Sequence, residues 1–194
     1  MRYEKGHKET TRQQITETAS RQFRDHGVSA VGLAAIMADA GLTNGAFYTH
    51  FTSKSDLVRE CIERTLDAQH ASMTQTAGQS GFETILRQYL SRAHRDDSAH
   101  GCPSAALLPE ISRASAEIRR AYTERFNTVI DLIAKQLKGR EPDDANQTAR
   151  AIYALVVGSL QLARAVDDPA LSDDILEGAI KAVLQLAANP STAR

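Results

Sequence analysis

The chain has no tryptophan, only two cysteines and no surplus of either charge: 23 Lys and Arg stand against 24 Asp and Glu in 194 residues. Two cysteines, Cys61 and Cys102, cannot make the disulfide framework of a small secreted scaffold. Near-balanced charge removes any global electrostatic case for nucleic acid, so such a case must come from placement. No apolar run approaches the roughly 18 residues of a membrane span, and no signal-peptide core follows Met1. The chain therefore reads as cytoplasmic, in a reducing compartment, with no membrane partner. With five Phe and five Tyr, any aromatic pocket draws on a short list.

What is present is helical periodicity, from end to end, with enough residues to bury a substantial core. Ile15, Ala19 and Phe23 recur at intervals of four over 8–26, and His26-Gly27 stops that helix. Ser53-Lys54-Ser55-Asp56 opens a longer helix with a capping-box pattern. Its stripe of Val58, Ile62 and Leu66, flanked by Leu57 and Cys61, covers adjoining faces, as a connector between domains would. The connector is expected over 53–76, fading before the linker-like Gly78-Gln79-Ser80-Gly81. Phe82, Leu86 and Leu90 lie on the next helix, followed by a polar loop over 95–101. Cys102-Pro103 starts a short helix, which Pro109 is expected to kink or break near Leu108. A long helix carries Ile118, Tyr122, Phe126, Val129, Ile130, Ile133 and Leu137, and Gly139 with Pro142 closes it.

Two helices over 143–166 and 170–188 end the chain. Ile152, Val156 and Leu160 on one, and Ile175, Ile180, Val183 and Leu184 on the other, make broad apolar stripes with small residues between them. Either the two finish this chain's own core, or they pair with a second copy in a four-helix, two-fold interface.

The stretch Gly32–Lys54 has a different character. Leu33, Ile36, Met37 and Ala40 line one face of a short helix, and Gly41 ends it. Thr43 is an expected N-cap for a second short helix, its hydroxyl taking an orphan N–H. Phe47 and Phe51 hold that helix down, while Asn44, Tyr48, Thr49 and His50 point elsewhere. An anchored short helix with a polar outer face suits a DNA major groove; an ordinary hairpin in a helical bundle fits the same pattern. If it reads DNA, Thr43, Tyr48, His50 and Lys54 can donate to phosphates, Asn44 can pair bidentately with adenine, and Gly45 and Ala46 let the helix approach the groove floor. Arg2, Lys5 and Lys8 would form a basic arm ahead of it.

The run Ala40-Gly41-Leu42-Thr43-x-Gly45-x-Phe47-Tyr48-x-His50-Phe51-x-Ser53-Lys54 resembles the helix-turn-helix, and the following helix start, of TetR-family (TetR/AcrR) repressors. Gly32 stands where members usually carry Ser or Thr, a small departure for an N-cap. The resemblance covers about the first sixty residues; beyond them only length and helical pattern agree. It implies an all-α fold, with an N-terminal three-helix domain over 1–56 and a C-terminal domain over 77–194 for effector binding and dimerisation. It also implies a palindromic double-stranded operator, phosphate roles for Tyr48 and Lys54, and a homodimer through the last two helices. A small, mostly apolar effector would release the DNA, its lining drawn from Phe82, Leu86, Tyr89, Leu108, Ile111, Phe126, Ile130 and Tyr153.

No catalytic pattern accompanies this. Gly78–Gly81 lacks the strand-turn-helix context of a nucleophile elbow, and there is no phosphate loop or zinc-binding His pair. His94, His100, Cys102, Asp96 and Asp97 read as a polar loop, so no metal and no cofactor are expected. Cys102 would face the positive end of a helix dipole, which lowers a thiol pKa. It is either a redox- or electrophile-sensing thiol or a small residue at a helix start. The alternative from another class is a helical protein-interaction module that binds no DNA.

Overall fold

The structure is a computed structural model and describes residues 5–188. These residues form nine helices and no strand: α1 (Lys5–His26), α2 (Leu33–Asp39), α3 (Asn44–Phe47), α4 (Lys54–Tyr89), α5 (Arg92–Asp96), α6 (Pro103–Arg113), α7 (Ala116–Gln136), α8 (Pro142–Ala165) and α9 (Pro169–Ala188). The all-α expectation holds. Of the basic arm, Arg2 lies outside the described residues, and Lys8 is exposed on the first turns of α1. The helices form two compact units, one taking in the chain to Leu66 with Ser98–Thr123, the other Asp67–Asp97 and the chain from Glu124.

In the first unit, Ile15, Ala19 and Phe23 of α1 meet Ile36 and Met37 of α2, with Phe47, Phe51 and the Leu57–Leu66 stripe of α4. Three short helices and one turn of core cannot bury enough apolar surface alone. Leu107 and Ile111 of α6 and Ile118 of α7 complete the cluster. Glycine sets the first corner: Gly27 has φ 84° and donates its N–H to the Phe23 carbonyl at 2.8 Å, ending α1 where the sequence indicates. The two amides after it, Val28 and Ser29, donate at 3.1 Å each to the two carboxylate oxygens of Glu110 on α6. At the start of α4, Ser53 Oγ accepts from the Asp56 N–H at 3.1 Å, and the Asp56 carboxylate accepts from the Thr52 N–H at 3.2 Å. This is the expected capping box, with the reciprocal bond displaced by one residue.

In the second unit α4 breaks at Gly81 (φ 79°, ψ 178°). The connector does not fade before Gly78: its helix runs on, and the break falls where a backbone geometry open to glycine is used. A separate short α5 follows, capped by Ser91, whose side chain accepts from the His94 N–H at 3.1 Å. Arg164 of α8 closes its other end, donating to the carbonyls of His94 at 2.7 Å and Arg95 at 3.0 Å. Arg92 and Arg95 both reach Asp173 of α9, at 2.9 and 3.0 Å. α6 does not break at Pro109, which sits inside one helix on an exposed face.

The most extensive helix pair is α8 with α9. Ile152, Val156, Leu160, Ile180 and Val183 are all buried within the chain itself, and Ile175 and Leu184 are half-buried. Ile152, Val156, Leu160, Ile180 and Val183 thus serve this chain's own core, the first of the two alternatives for these stripes, while Ile175 and Leu184 keep part of their surface open. The large apolar side chains left outside are one helical step round: Leu162 at 59% exposure on α8, and Leu171 and Leu186 at 48% and 41% on α9.

Candidate nucleic-acid interface

The turn between α2 and α3 is built by backbone hydrogen bonds. Gly41, with φ 68°, donates to Ala38 O at 3.0 Å, and Leu42 donates to Met37 O at 2.8 Å. That pair of bonds is a Schellman closure, which requires a left-handed residue at the first position after the cap; glycine enters it without a Cβ penalty. Leu42 packs back on the core that holds Met37. Gln14 of α1 adds a bond to the Ala40 carbonyl at 2.7 Å.

α3 itself is short, four residues, and is prolonged by turns: His50 N–H reaches Phe47 O at 2.9 Å and Phe51 N–H reaches the same oxygen at 3.0 Å. Phe47 and Phe51 are both buried and stack at 5.5 Å with an interplanar angle of 24°. This anchoring leaves Thr43, Asn44, Gly45, Tyr48 and Thr49 exposed, with Ala46 and His50 partly so. Tyr48, at 71% exposure, stands edge-on to Phe47 at 5.2 Å. A Cβ added at Gly45 would meet nothing within 4 Å. The fold therefore does not demand glycine there. Thr43 occupies the N-cap position, but its hydroxyl makes no capping bond; the expected cap is backbone geometry alone.

The far end of the segment is held by Arg12 of α1. Its guanidinium donates to the His50 carbonyl and to Glu60 of α4, and lies 4.2 Å over the Phe51 ring. Glu60 also accepts from the Thr16 hydroxyl at 3.2 Å. These partners cannot be found by local periodicity, because 38 and 48 residues separate Arg12 from the two groups it joins.

Two members of the expected phosphate set behave differently from a simple cation. Lys54 turns inward, its ammonium donating to the Val28 and Val31 carbonyls at 2.6 and 2.5 Å. It ties the α1–α2 connection to α4, so two of its three donors expected on phosphates are used within the fold. Burial, with Lys8 and Arg12 nearby, lowers the His50 pKa below the ordinary imidazole value, against a smaller opposing effect of Glu9. His50 is therefore a neutral hydrogen-bonding group near pH 7.

Away from this face, Ile111 belongs to the first unit's core, and Leu108 is also a residue of that unit. The other six expected effector contacts lie in the second unit. There Phe126 and Tyr153 meet edge-on at 5.4 Å, and Tyr89 meets His94 at 4.7 Å. Cys102 sits at the N-cap of α6 and is 2% exposed. Among the described residues no group of three His, Cys, Asp or Glu side chains could hold a metal ion, and no helix is long and apolar enough to cross a membrane.

Known proteins agree with this arrangement. Residues 15–61 match the family described as bacterial regulatory proteins, tetR family, and residues 79–177 match the C-terminal domain of LmrA/YxaF-like transcriptional regulators. The HTH-type transcriptional repressor NemR of Escherichia coli is 25% identical over 194 residues, spanning 93% of this chain and 96% of NemR. YxaF of Bacillus subtilis, an HTH-type transcriptional regulator, is 25% identical over 160 residues, 78% of this chain and 84% of its own. The crystal structure of reduced NemR superposes with a TM-score of 0.77 at 24% identity, covering 94% of this chain and all of that one. A TetR-family regulator from Cytophaga hutchinsonii gives 0.78 at 22% identity, covering 99% of this chain and 100% of the other. These relatives are regulators of transcription and not enzymes. An exposed polar face on an anchored second helix, matched in sequence over both its reading and its C-terminal segments, makes this chain a member of the TetR family of DNA-binding transcriptional regulators.

Proposed function

We propose that the protein is a dimeric, ligand-responsive repressor that acts in the cytoplasm and binds a palindromic operator. Residues 1–56 read DNA, a connector begins at 53, and 77–194 hold the effector and dimerisation functions. The observation that carries this reading is the face of α3: Thr43, Asn44, Gly45 and Tyr48 are exposed over a buried Phe47–Phe51 anchor. Asn44 is the base reader, its amide able to accept from and donate to one adenine edge. Thr43, Tyr48 and His50 are neutral phosphate donors that set register. Gly45 and Ala46 allow close approach.

Two readers must stand about 34–36 Å apart to enter successive major-groove turns. Leu162, Leu171 and Leu186, with the small residues Ala151, Ala154 and Gly158 on the same outward region of α8, support a dimer through the last two helices. The effector is small and mostly apolar, bound against Phe82, Leu86, Tyr89, Phe126, Ile130 and Tyr153 of the second unit. It releases DNA only by preferring the spacing that does not fit the operator. NemR is a repressor by name, which supports the sign of regulation.

A second reading makes Cys102 a sensing thiol. Its favouring observation is position: it caps α6, and Glu110 on the same helix grips the turn that follows α1.

The test is selection of bound sites from a random duplex library, followed by comparison of wild type with Asn44→Ala. A palindrome is expected, with preference at one base position per half-site relaxed by about 1–3 kcal/mol in the variant. Unchanged affinity and preference in Asn44→Ala would remove the base-reader assignment, and absence of any salt-dependent duplex binding would favour the protein-interaction module instead.

A further inference from the structure

Within the first unit a cleft of about 320 Å³ opens beside the α1–α2 connection, the start of α4 and the α6–α7 corner. It is separate from the outward face of α3 and from the aromatic set of the second unit. Its floor is apolar and buried: Val58 and Ile62 of α4, Leu107 and Ile111 of α6, and Ile118 of α7. Its rim carries Lys54, Arg113 and Glu110, with Ser29, Ser55 and Ser115.

The rim carries two cations, Lys54 and Arg113, against one carboxylate, Glu110, so one positive charge is left over. Both oxygens of Glu110 already accept from the Val28 and Ser29 amides. Lys54 donates to two carbonyls, which are neutral acceptors, and neither Lys54 nor Arg113 is paired with a carboxylate among the described residues. A half-buried ammonium held only by neutral groups beside a free guanidinium is favoured by any anion that a ligand brings. The volume is at the low end for small-molecule sites, which run from about 300 to 1,000 Å³. A single ring or short chain fits it; a long acyl chain does not.

We infer that this cleft binds small amphipathic monocarboxylates, with the apolar body on Val58, Ile62 and Leu107 and the carboxylate between Lys54 and Arg113. The hydroxyls of Ser55 and Ser115 flank the same rim and can donate to the head group. Because binding is the only property claimed, the inference stands apart from the operator and effector readings.

The experiment uses the full chain, with benzoate as the probe and benzamide as its neutral isostere. Backbone amide shifts are followed by NMR in wild type, Arg113→Gln and Arg113→Lys. Benzoate is expected to shift the amides of Ser29, Ser55, Arg113 and Ser115 saturably, with benzamide at least tenfold weaker. Arg113→Gln should weaken benzoate at least tenfold, and Arg113→Lys should restore most of it. Three results overturn the inference: no saturation by about 10 mM, weaker than any useful affinity on the standard scale; equal titration by benzamide; or shifts confined to amides of the second unit. If Arg113→Gln fails to fold, the benzoate–benzamide comparison on wild type still decides.

Discussion

Replacing Arg12 with alanine tests how the reading segment is held. The guanidinium bonds Glu60 at 2.8 Å through Nε, bonds the His50 carbonyl, and covers the Phe51 ring at 4.2 Å. The side chains are 28% and 12% exposed, which places the pair between two known regimes. Fully exposed pairs contribute about 0–1 kcal/mol, while breaking a buried pair costs about 3–5. The cation–π contact adds about 0.5–1 kcal/mol. Glu60 keeps partial compensation from Thr16 at 3.2 Å and Arg64 at 3.4 Å, so the loss falls between the limits, at about 2–3 kcal/mol. For a chain of this size that lowers the melting midpoint by about 5–10 °C. Calorimetry of Arg12→Ala, Glu60→Ala and the double variant measures it, and the two losses should be non-additive by about 1 kcal/mol or more. Because Arg12 also closes the end of the α3 segment, duplex affinity well below the melting range should fall by about tenfold, or 1.4 kcal/mol. A midpoint for Arg12→Ala within a degree of wild type, or strictly additive losses, would refute the clamp.

Lys54→Ala should lower stability by about 1.5–3 kcal/mol by removing a charged donor from two carbonyls, while leaving the salt slope of DNA binding unchanged; a slope flattened by about one would return Lys54 to the phosphate contacts. Leu162→Glu places a charge on the outer face of α8 and should shift the protein from dimer to monomer in sedimentation without lowering its helical content; a dimer of unchanged affinity would move the interface elsewhere. Burial pushes the Cys61 thiol up to about 12, against a weaker lowering by Ser20 and Arg24, and Cys102 is 2% exposed. Both should react with a disulfide reagent near pH 7.5 far more slowly than a free thiol, and rapid labelling of Cys102 alone would favour the sensing reading.

Local chemistry is legible in one dimension. The stop at Gly27, the Gly41 corner, the capping box at Ser53–Asp56 and the inward pairing of Phe47 with Phe51 all follow from residues within five positions of one another. Those interactions depend on backbone dihedrals and helical spacing, which the sequence specifies directly. The outer face of α3 follows by subtraction, since what is not anchored is presented. Helix ends are less legible where a helix can stop or run on. Gly78–Gly81 suggested a linker, yet only Gly81 adopts a conformation that ends the helix. Pro109 suggested a kink or a break near Leu108, and α6 runs on through it as one helix.

By itself, then, the sequence determined an all-helical chain, a helix-turn-helix with its family, and the side chains left exposed on the outer face of α3, because each rests on near-neighbour geometry. Tertiary structure alone decided that the Ile152, Val156 and Leu160 stripe of α8 and Ile180 and Val183 of α9 fill this chain's own core while Leu162, Leu171 and Leu186 stay outside, because burial depends on which helices pack opposite. It also decided that Lys54 is a staple and that Arg12 and Glu110 grip the ends of the reading domain's turns. Those pairings join residues tens of positions apart, and no periodicity in a chain reports who will stand opposite whom.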